Sequence, residues 1–89
     1  MDARLQRRVQ RYGWDLAADT YESLWQAPLA GAHAALLDSA ALAPGECVLD
    51  LACGTGLVTL PAARAVGPSG QVIGVDIAER MVEALRQRA

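Results

Sequence analysis

Residues Cys47-Val48-Leu49-Asp50-Leu51-Ala52-Cys53-Gly54-Thr55-Gly56 run from an apolar segment through an acidic residue into a turn with glycines two apart. A helical pattern follows, and Gln71-Val72-Ile73-Gly74-Val75 then forms a second apolar run that stops at Asp76. Two strands that each end in a carboxylate, joined by a glycine loop and a helix, make the first half of a nucleoside-binding crossover. Glycine in the loop lets a ligand approach the backbone with no Cβ in the way. A carboxylate at the tip of the second strand accepts hydrogen bonds from both ribose hydroxyls.

Spacing narrows the ligand. Asp50 lies four residues before Gly54, and Asp76 lies twenty after Gly56. A dinucleotide fingerprint places a third glycine three residues after Gly56, where this chain has Thr59. A phosphate-cradling P-loop needs Gly-Lys-Ser/Thr, and the chain has no lysine. The loop therefore has no need to wrap a pyrophosphate. Asp76-Ile77-Ala78-Glu79 also has the spacing of a helix N-cap with a glutamate at the third position. Both roles stay open to Asp76, because a carboxylate has several lone pairs. Asp50 either holds the turn through loop N–H groups or borders the ligand.

Other candidates read as structural. Cys53 packs inside the loop, with no feature that would lower its pKa and make it a nucleophile. His33, alone among alanines in a helix, reads as a surface or packed residue. No Ser/His/Asp arrangement and no metal-ligand spacing appears, so no catalytic residue is assigned and no metal is expected.

The motifs resemble those of the class I S-adenosylmethionine-dependent methyltransferases, of the small-molecule type. That family's first motif, Asp/Glu-x-Gly-x-Gly-x-Gly, is read here as Asp50-Leu51-Ala52-Cys53-Gly54-Thr55-Gly56, with Leu42-Ala43-Pro44-Gly45-Glu46 as its usual lead-in. Gly74-Val75-Asp76-Ile77-Ala78-Glu79-Arg80-Met81 is similar to the family's second strand and its exit, so the likeness spans residues 42 to 85. Ala52 departs from the motif's first glycine; close backbone approach is kept provided the residue needs no positive φ. The resemblance implies an α/β, Rossmann-like doubly wound parallel sheet, of which the first two strands are present, preceded by N-terminal helices. It implies S-adenosyl-L-methionine as cofactor, held by Asp50, Ala52, Cys53, Gly54, Thr55, Gly56, Asp76, Ile77, Met81 and Tyr21. In that assignment Asp50 lies near the methionine amino group and Asp76 binds the ribose. Ile77 and Met81 flank the adenine, and Tyr21 turns its ring face to the sulfonium. Core packing is the competing reading for Ile77, for Met81 and for the aromatic group Tyr12, Trp14, Tyr21 and Trp25.

Two other classes stay in view. One is an NAD(P)-binding oxidoreductase fragment, against which Thr59 and Ala52-Cys53 both argue. The other is a non-catalytic remnant or interaction module, whose incomplete sheet edges open a route to self-association.

Length and composition set the frame. At 89 residues the chain is shorter than the ~100–200 residues of a typical single domain. The expected organisation is a helical lid or cap over residues 1–43 and the first β-α-β-α unit of a truncated cofactor-binding domain over residues 44–89. A net charge of −2 gives no reason to expect nucleic acid as partner, and the expected partner is a small-molecule methyl acceptor. No apolar run approaches the ~20 residues that span a membrane, so no membrane partner is expected. The arginines near the N-terminus have a membrane-surface or presequence reading, but a solvated helix end with Leu5, Val9 and Tyr12 on one side is preferred. Two cysteines with no secretory signal fit reduced thiols in a cytoplasmic protein.

In the N-terminal part, a short helix over residues 1–12 is expected to break at Gly13. Helical spacing resumes from Trp14 to Gln26, and Pro28 marks a fresh start for Leu29 to Leu42. Pro44-Gly45 is a stop. The crossover helix is expected over Leu57 to Val66, starting just before Pro61, and the second helix over Ala78 to Arg88.

Overall fold

The computed structural model describes residues 2–89; Met1, the first residue of the expected N-terminal helix, lies outside the described residues. The element order is α1 (Ala3–Ala17), α2 (Tyr21–Ala40), β1 (Cys47–Leu51), α3 (Thr59–Val66), β2 (Gln71–Val75) and α4 (Glu79–Arg88). The two strands pair in parallel, with Cys47 opposite Gln71 and Leu51 opposite Val75. This is the α/β crossover of a Rossmann-like fold, represented by its first two strands.

The strands form where apolar residues crowd between turn signals. Gly45 has φ +87° and donates its N–H to the Val66 carbonyl at 2.8 Å, tying the start of β1 to the end of α3. Gln71 N–H then donates to Glu46 O at 3.0 Å and begins the parallel ladder. Helix α3 covers one face of the sheet, where Val48, Asp50, Val72 and Gly74 lie half-buried. Gly74 permits a close approach there: a Cβ would stand 3.0 Å from Cys53 Sγ and 3.1 Å from Cys53 Cβ, so that Cys53 would have to shift. The other face is bare. Leu49, Leu51, Ile73 and Val75 keep 60%, 69%, 50% and 42% of their surface exposed. The apolar strand pattern thus anticipates a covering on both faces that these residues supply on one only.

Helix α3 begins at Thr59, two residues later than expected, so Pro61 falls in its first turn. Its missing N–H is one that has no intrahelical acceptor there. Two breaks expected in the N-terminal part do not occur. Gly13 lies inside α1, and Pro28 lies inside α2. Nothing stands within 4 Å of a Cβ at Gly13, so the helix tolerates glycine at a cost of ~1 kcal/mol and continues. The real break is the turn at residues 18–20 between α1 and α2. Beyond its first two residues, Tyr21 and Glu22, the half-buried positions of α2 are Leu29, His33 and Leu37, so His33 belongs to the helix's inward stripe while Leu36 is exposed.

A long-range contact seats α1. Helix α4 has Ala78 at its N-cap, which carries no capping side chain. Asp15, 65 residues away in sequence, supplies the cap instead: its Oδ1 accepts from the Arg80 N–H at 3.0 Å. Arg80 is the second residue of α4, where an N-cap oxygen normally bonds. Ala18, Ala78 and Met81 pack together beneath this contact, with Ala17 and Tyr21 against them. At the other end of α4, Arg88 pairs with Glu22 of α2 at 2.6 Å. No helix among the described residues is long and apolar enough to cross a membrane.

Replacing Asp15 with Ala removes the side-chain acceptor of the Arg80 N–H in the first turn of α4. The Asp15→Ala variant is expected to lose about 1 kcal/mol of stability in thermal unfolding followed by circular dichroism. Asp2→Ala, which removes the cap of α1 at its exposed start, is expected to change the helix signal there but not the melting of α4.

Candidate functional site

Asp76 follows β2 directly, and its carboxylate joins the two loops that meet at the strand tips. Oδ2 accepts from the Gly54 N–H at 2.9 Å, and Oδ1 accepts from the Ala78 N–H at 2.9 Å. Each oxygen retains a lone pair for a further donor. Asp76 does not serve as the N-cap of a capping box: α4 starts at Glu79 with Ala78 as its N-cap, and Asp76 stands two residues too early. Its bond to Ala78 is a local Asx turn, two residues on.

Asp50 also differs from its expected structural role. The loop N–H groups go elsewhere: Cys53 to Val75 O at 2.9 Å, Gly54 to Asp76, and Gly56 to Cys53 O at 3.1 Å. Asp50 instead accepts from the Thr59 hydroxyl at 2.6 Å. Thr59, which the sequence marks only as a missing glycine, is the side chain that holds this carboxylate.

The three motif positions of the loop do different work. Gly54 has φ +57°, and a Cβ there would meet nothing within 4 Å, so its outer side is open. Gly56 has φ +95°, and a Cβ there would overlap Leu85 Cδ1 of α4. Ala52 has φ +56°, so the condition attached to it fails: this alanine sits in the left-handed region that favours glycine. Thr55 and Gly56 are buried behind the loop, where Thr55 O accepts from Arg88 Nη1 at 2.8 Å.

A cleft of about 520 Å³ opens on the Asp76 side, within the size range of small-molecule sites. Ala52, Gly54, Val75 and Asp76 form its floor, Ile77 and Met81 one wall, and Trp14 and Tyr21 the other. The two aromatic rings meet edge to face, with centroids 6.0 Å apart and planes at 78°. A narrower cleft at the other end of the loop shares Tyr21, Ala52 and Gly54 and brings in His33, Asp50 and Cys53. The structure therefore gathers Tyr21, Asp50, Ala52, Cys53, Gly54, Asp76, Ile77 and Met81 around one trough, with Thr55 and Gly56 supporting it from behind. Trp14 and His33 are additional lining residues. Trp14 is visible in sequence only as one of several aromatics, and His33 only through its place on the inward stripe of α2.

Electrostatics at the loop keep Cys53 neutral. Burial pushes its thiol up from the ordinary value, and the nearby Asp50 and Asp76 carboxylates push it further the same way. Among the described residues no three His, Cys, Asp or Glu side chains come together in a group able to hold a metal.

A parallel βαβ crossover with a glycine loop at one strand tip and a carboxylate at the next defines a nucleoside-cofactor unit of the Rossmann-like class. Residues 48–89, 42 of the chain's 89, match the family described as a methyltransferase domain. It is 42% identical over 79 residues to a demethylmenaquinone methyltransferase of Symbiobacterium thermophilum, covering 84% of this chain and 32% of that protein. It is 52% identical over 54 residues to a nocamycin O-methyltransferase of Saccharothrix syringae, covering 61% of this chain and 19% of that protein. It is 52% identical over 48 residues to a 23S rRNA (uracil(1939)-C(5))-methyltransferase of Acinetobacter baumannii, covering 54% of this chain and 10% of that protein. The chain thus spans less than a third of the length of each of these relatives. The nicotinamide alternative is not favoured, since the place of the third glycine is held by Thr59 and its hydroxyl is bound to Asp50.

Ala52→Gly removes a Cβ from a left-handed residue and is expected to raise stability by up to about 1 kcal/mol, read as a higher melting temperature. The exposed Cys47 is expected to react with iodoacetamide well before the buried Cys53, resolved by peptide mass mapping. Because the folded state holds the Cys53 proton more tightly than the unfolded chain, its contribution to stability is complete below pH 9.0 and falls as pH rises above it.

Proposed function

We propose that this chain is the cofactor-binding part of an S-adenosylmethionine-dependent methyltransferase that acts on a small-molecule acceptor. The observation that carries this reading is the Asp76 carboxylate, fixed by the Gly54 and Ala78 N–H groups at the floor of an open cleft. The residues present fit the cofactor. The outer side of Gly54 is free of any side chain, and the cleft has the volume of a nucleoside-sized ligand's site.

S-adenosylmethionine supplies, when bound, a methyl group on a sulfonium that is its own leaving group. In the proposed arrangement Asp76 accepts from the ribose hydroxyls with the lone pairs its two backbone bonds leave free. Ile77 and Met81 flank the adenine. Asp50, held by Thr59, faces the methionine amino end, while Cys53, Ala52, Gly54, Thr55 and Gly56 form the loop against which that end rests. Tyr21 lines both clefts, which supports a place for its ring between the nucleoside and methionine ends. Residues 2–43 act as the cap that closes the trough and keeps water from it. Catalysis then rests on orientation rather than on a covalent intermediate with the protein.

The relatives support this division of labour. They are named for demethylmenaquinone, nocamycin and 23S rRNA, yet all align with this chain at 42–52% identity. What such different enzymes hold in common over this segment is the donor site. The two that align over the larger share of the chain are named for small molecules, and the overall charge of −2 is in keeping with such an acceptor. Two free thiols fit a reducing, cytoplasmic compartment.

Calorimetric titration of S-adenosylmethionine into the 89-residue chain tests the reading. Saturable binding is expected, weakened on the order of a hundredfold in Asp76→Ala through the loss of two hydrogen bonds to a charged group. Cys47→Ser, on the exposed start of β1, is expected to bind as the parent does. Equal binding by Asp76→Ala, or preference for a nicotinamide dinucleotide, would overturn it.

A further inference from the structure

Helix α1 carries a surface that the cofactor site does not use. Its docked end is the C-terminal one, where Asp15 caps α4 and Ala17 and Ala18 pack against Ala78 and Met81. From Ala3 to Tyr12 every residue is exposed. On that free length Leu5, Val9, Tyr12 and Leu16 recur at helical spacing along one stripe, with 48%, 53%, 68% and 60% of their surfaces open to solvent. Arg4, Arg7, Arg8 and Arg11 form a second stripe about a third of a turn away at 100° per residue. The arginines line a shallow groove that reaches Ile77, at the rim of the cofactor cleft.

None of these four arginines is in an ion pair among the described residues; the pairs present there are Arg86–Glu83 and Arg88–Glu22. They are half of the eight basic residues in the chain. Without them the remaining four basic and ten acidic residues leave a charge of 4 − 10 = −6. The chain is therefore strongly polarised, with one cationic edge on an anionic body. An aliphatic stripe beside unpaired arginines needs a partner that is apolar and anionic at once. A nucleic acid satisfies the charges and leaves Leu5, Val9 and Leu16 in water. A second copy could cover the stripe with its bare sheet face, but the exposed residues there, Leu49, Leu51, Ile73 and Val75, are uncharged and leave the arginines without anions. An anionic lipid surface satisfies both, because headgroups meet the guanidinium groups while the acyl boundary takes the aliphatic side chains.

We infer that α1 is an interfacial helix that seats this chain on an anionic lipid surface. Leu5, Val9, Tyr12 and Leu16 enter the headgroup–acyl boundary, and the four arginines bind lipid phosphates on its shoulder. The acidic remainder is repelled, which orients the protein with the cofactor cleft beside the surface rather than against it. This departs from the expectation of no membrane partner and from the preferred reading of the arginine-rich start as a solvated helix end; an interfacial helix lies in the plane of the surface and needs no spanning segment. The inference does not depend on the identity of the methyl acceptor.

Co-sedimentation of the 89-residue chain with vesicles tests it, using phosphatidylcholine alone and phosphatidylcholine mixed with phosphatidylglycerol. Binding is expected to the mixed vesicles only, and to weaken as salt is raised. The double variant Arg8→Gln/Arg11→Gln is expected to lose roughly thirtyfold in partitioning, and Leu5→Ser/Val9→Ser roughly tenfold. Replacing all four arginines with lysine keeps the charge and is expected to keep most of the binding. Circular dichroism of each variant separates loss of binding from loss of the helix. Equal binding to both vesicle types, no binding to either, or failure of the lysine variant while its helix is intact would overturn the inference. So would light scattering that shows self-association, insensitive to the arginines, in place of vesicle binding.

Discussion

One carboxylate holds the site together. Asp76 accepts one backbone N–H from the glycine loop after β1 and another from the turn before α4, so both strand exits are fixed to a single side chain. Neither loop has a regular hydrogen-bond ladder of its own, and the helices border them only through single side chains such as Thr59 of α3 and Met81 of α4. The loop conformation needs positive φ at Ala52, Gly54 and Gly56, and such a backbone persists only where its surroundings determine it. Asp76 provides that determination from outside the loop, while Asp50 and Thr59 provide it from within.

The crossover was legible in the sequence because its signals are local. Strand, glycine loop and strand lie in single runs, and β1 and β2 occupy the residues expected of them. The trough was legible for the same reason, as most of its lining comes from the ends of those runs. What the sequence conceals is whatever depends on distant partners. Gly13 and Pro28 are breakers by propensity, yet α1 and α2 run through them, while the turn occurs at Ala18–Thr20, which carries no strong signal. The cap of α4 comes from Asp15, and no local pattern at Asp76–Glu79 announces it. Thr59 shows the same limit from the other side: its mismatch to a dinucleotide motif was visible, but its grip on Asp50 was not.

The N-terminal helices differ in how firmly they are joined to the crossover. Helix α1 has a capped, partly buried attachment at Asp15, Ala17 and Ala18. Helix α2 buries no residue completely and meets the rest through half-buried side chains, with Arg88–Glu22 as its charged tie. Tyr21 stands at the hinge between them, against Trp14 and the small core. The wall of the trough is therefore anchored at the Trp14–Tyr21 corner and looser toward His33. Local stability should follow the same gradient, since segments with few buried apolar contacts open first.

The register of the sheet has a consequence for how this unit comes into being. Every pair, from Cys47–Gln71 to Leu51–Val75, joins residues the same distance apart along the chain, with only α3 between them. Closing a segment that short adds little entropy beyond that of a hairpin of similar length, because the cost grows only with the logarithm of the loop. The strand tips that carry Asp50 and Asp76 can thus be brought together by neighbouring sequence alone. During synthesis the glycine loop and its carboxylates would therefore assemble early, as a local nucleus.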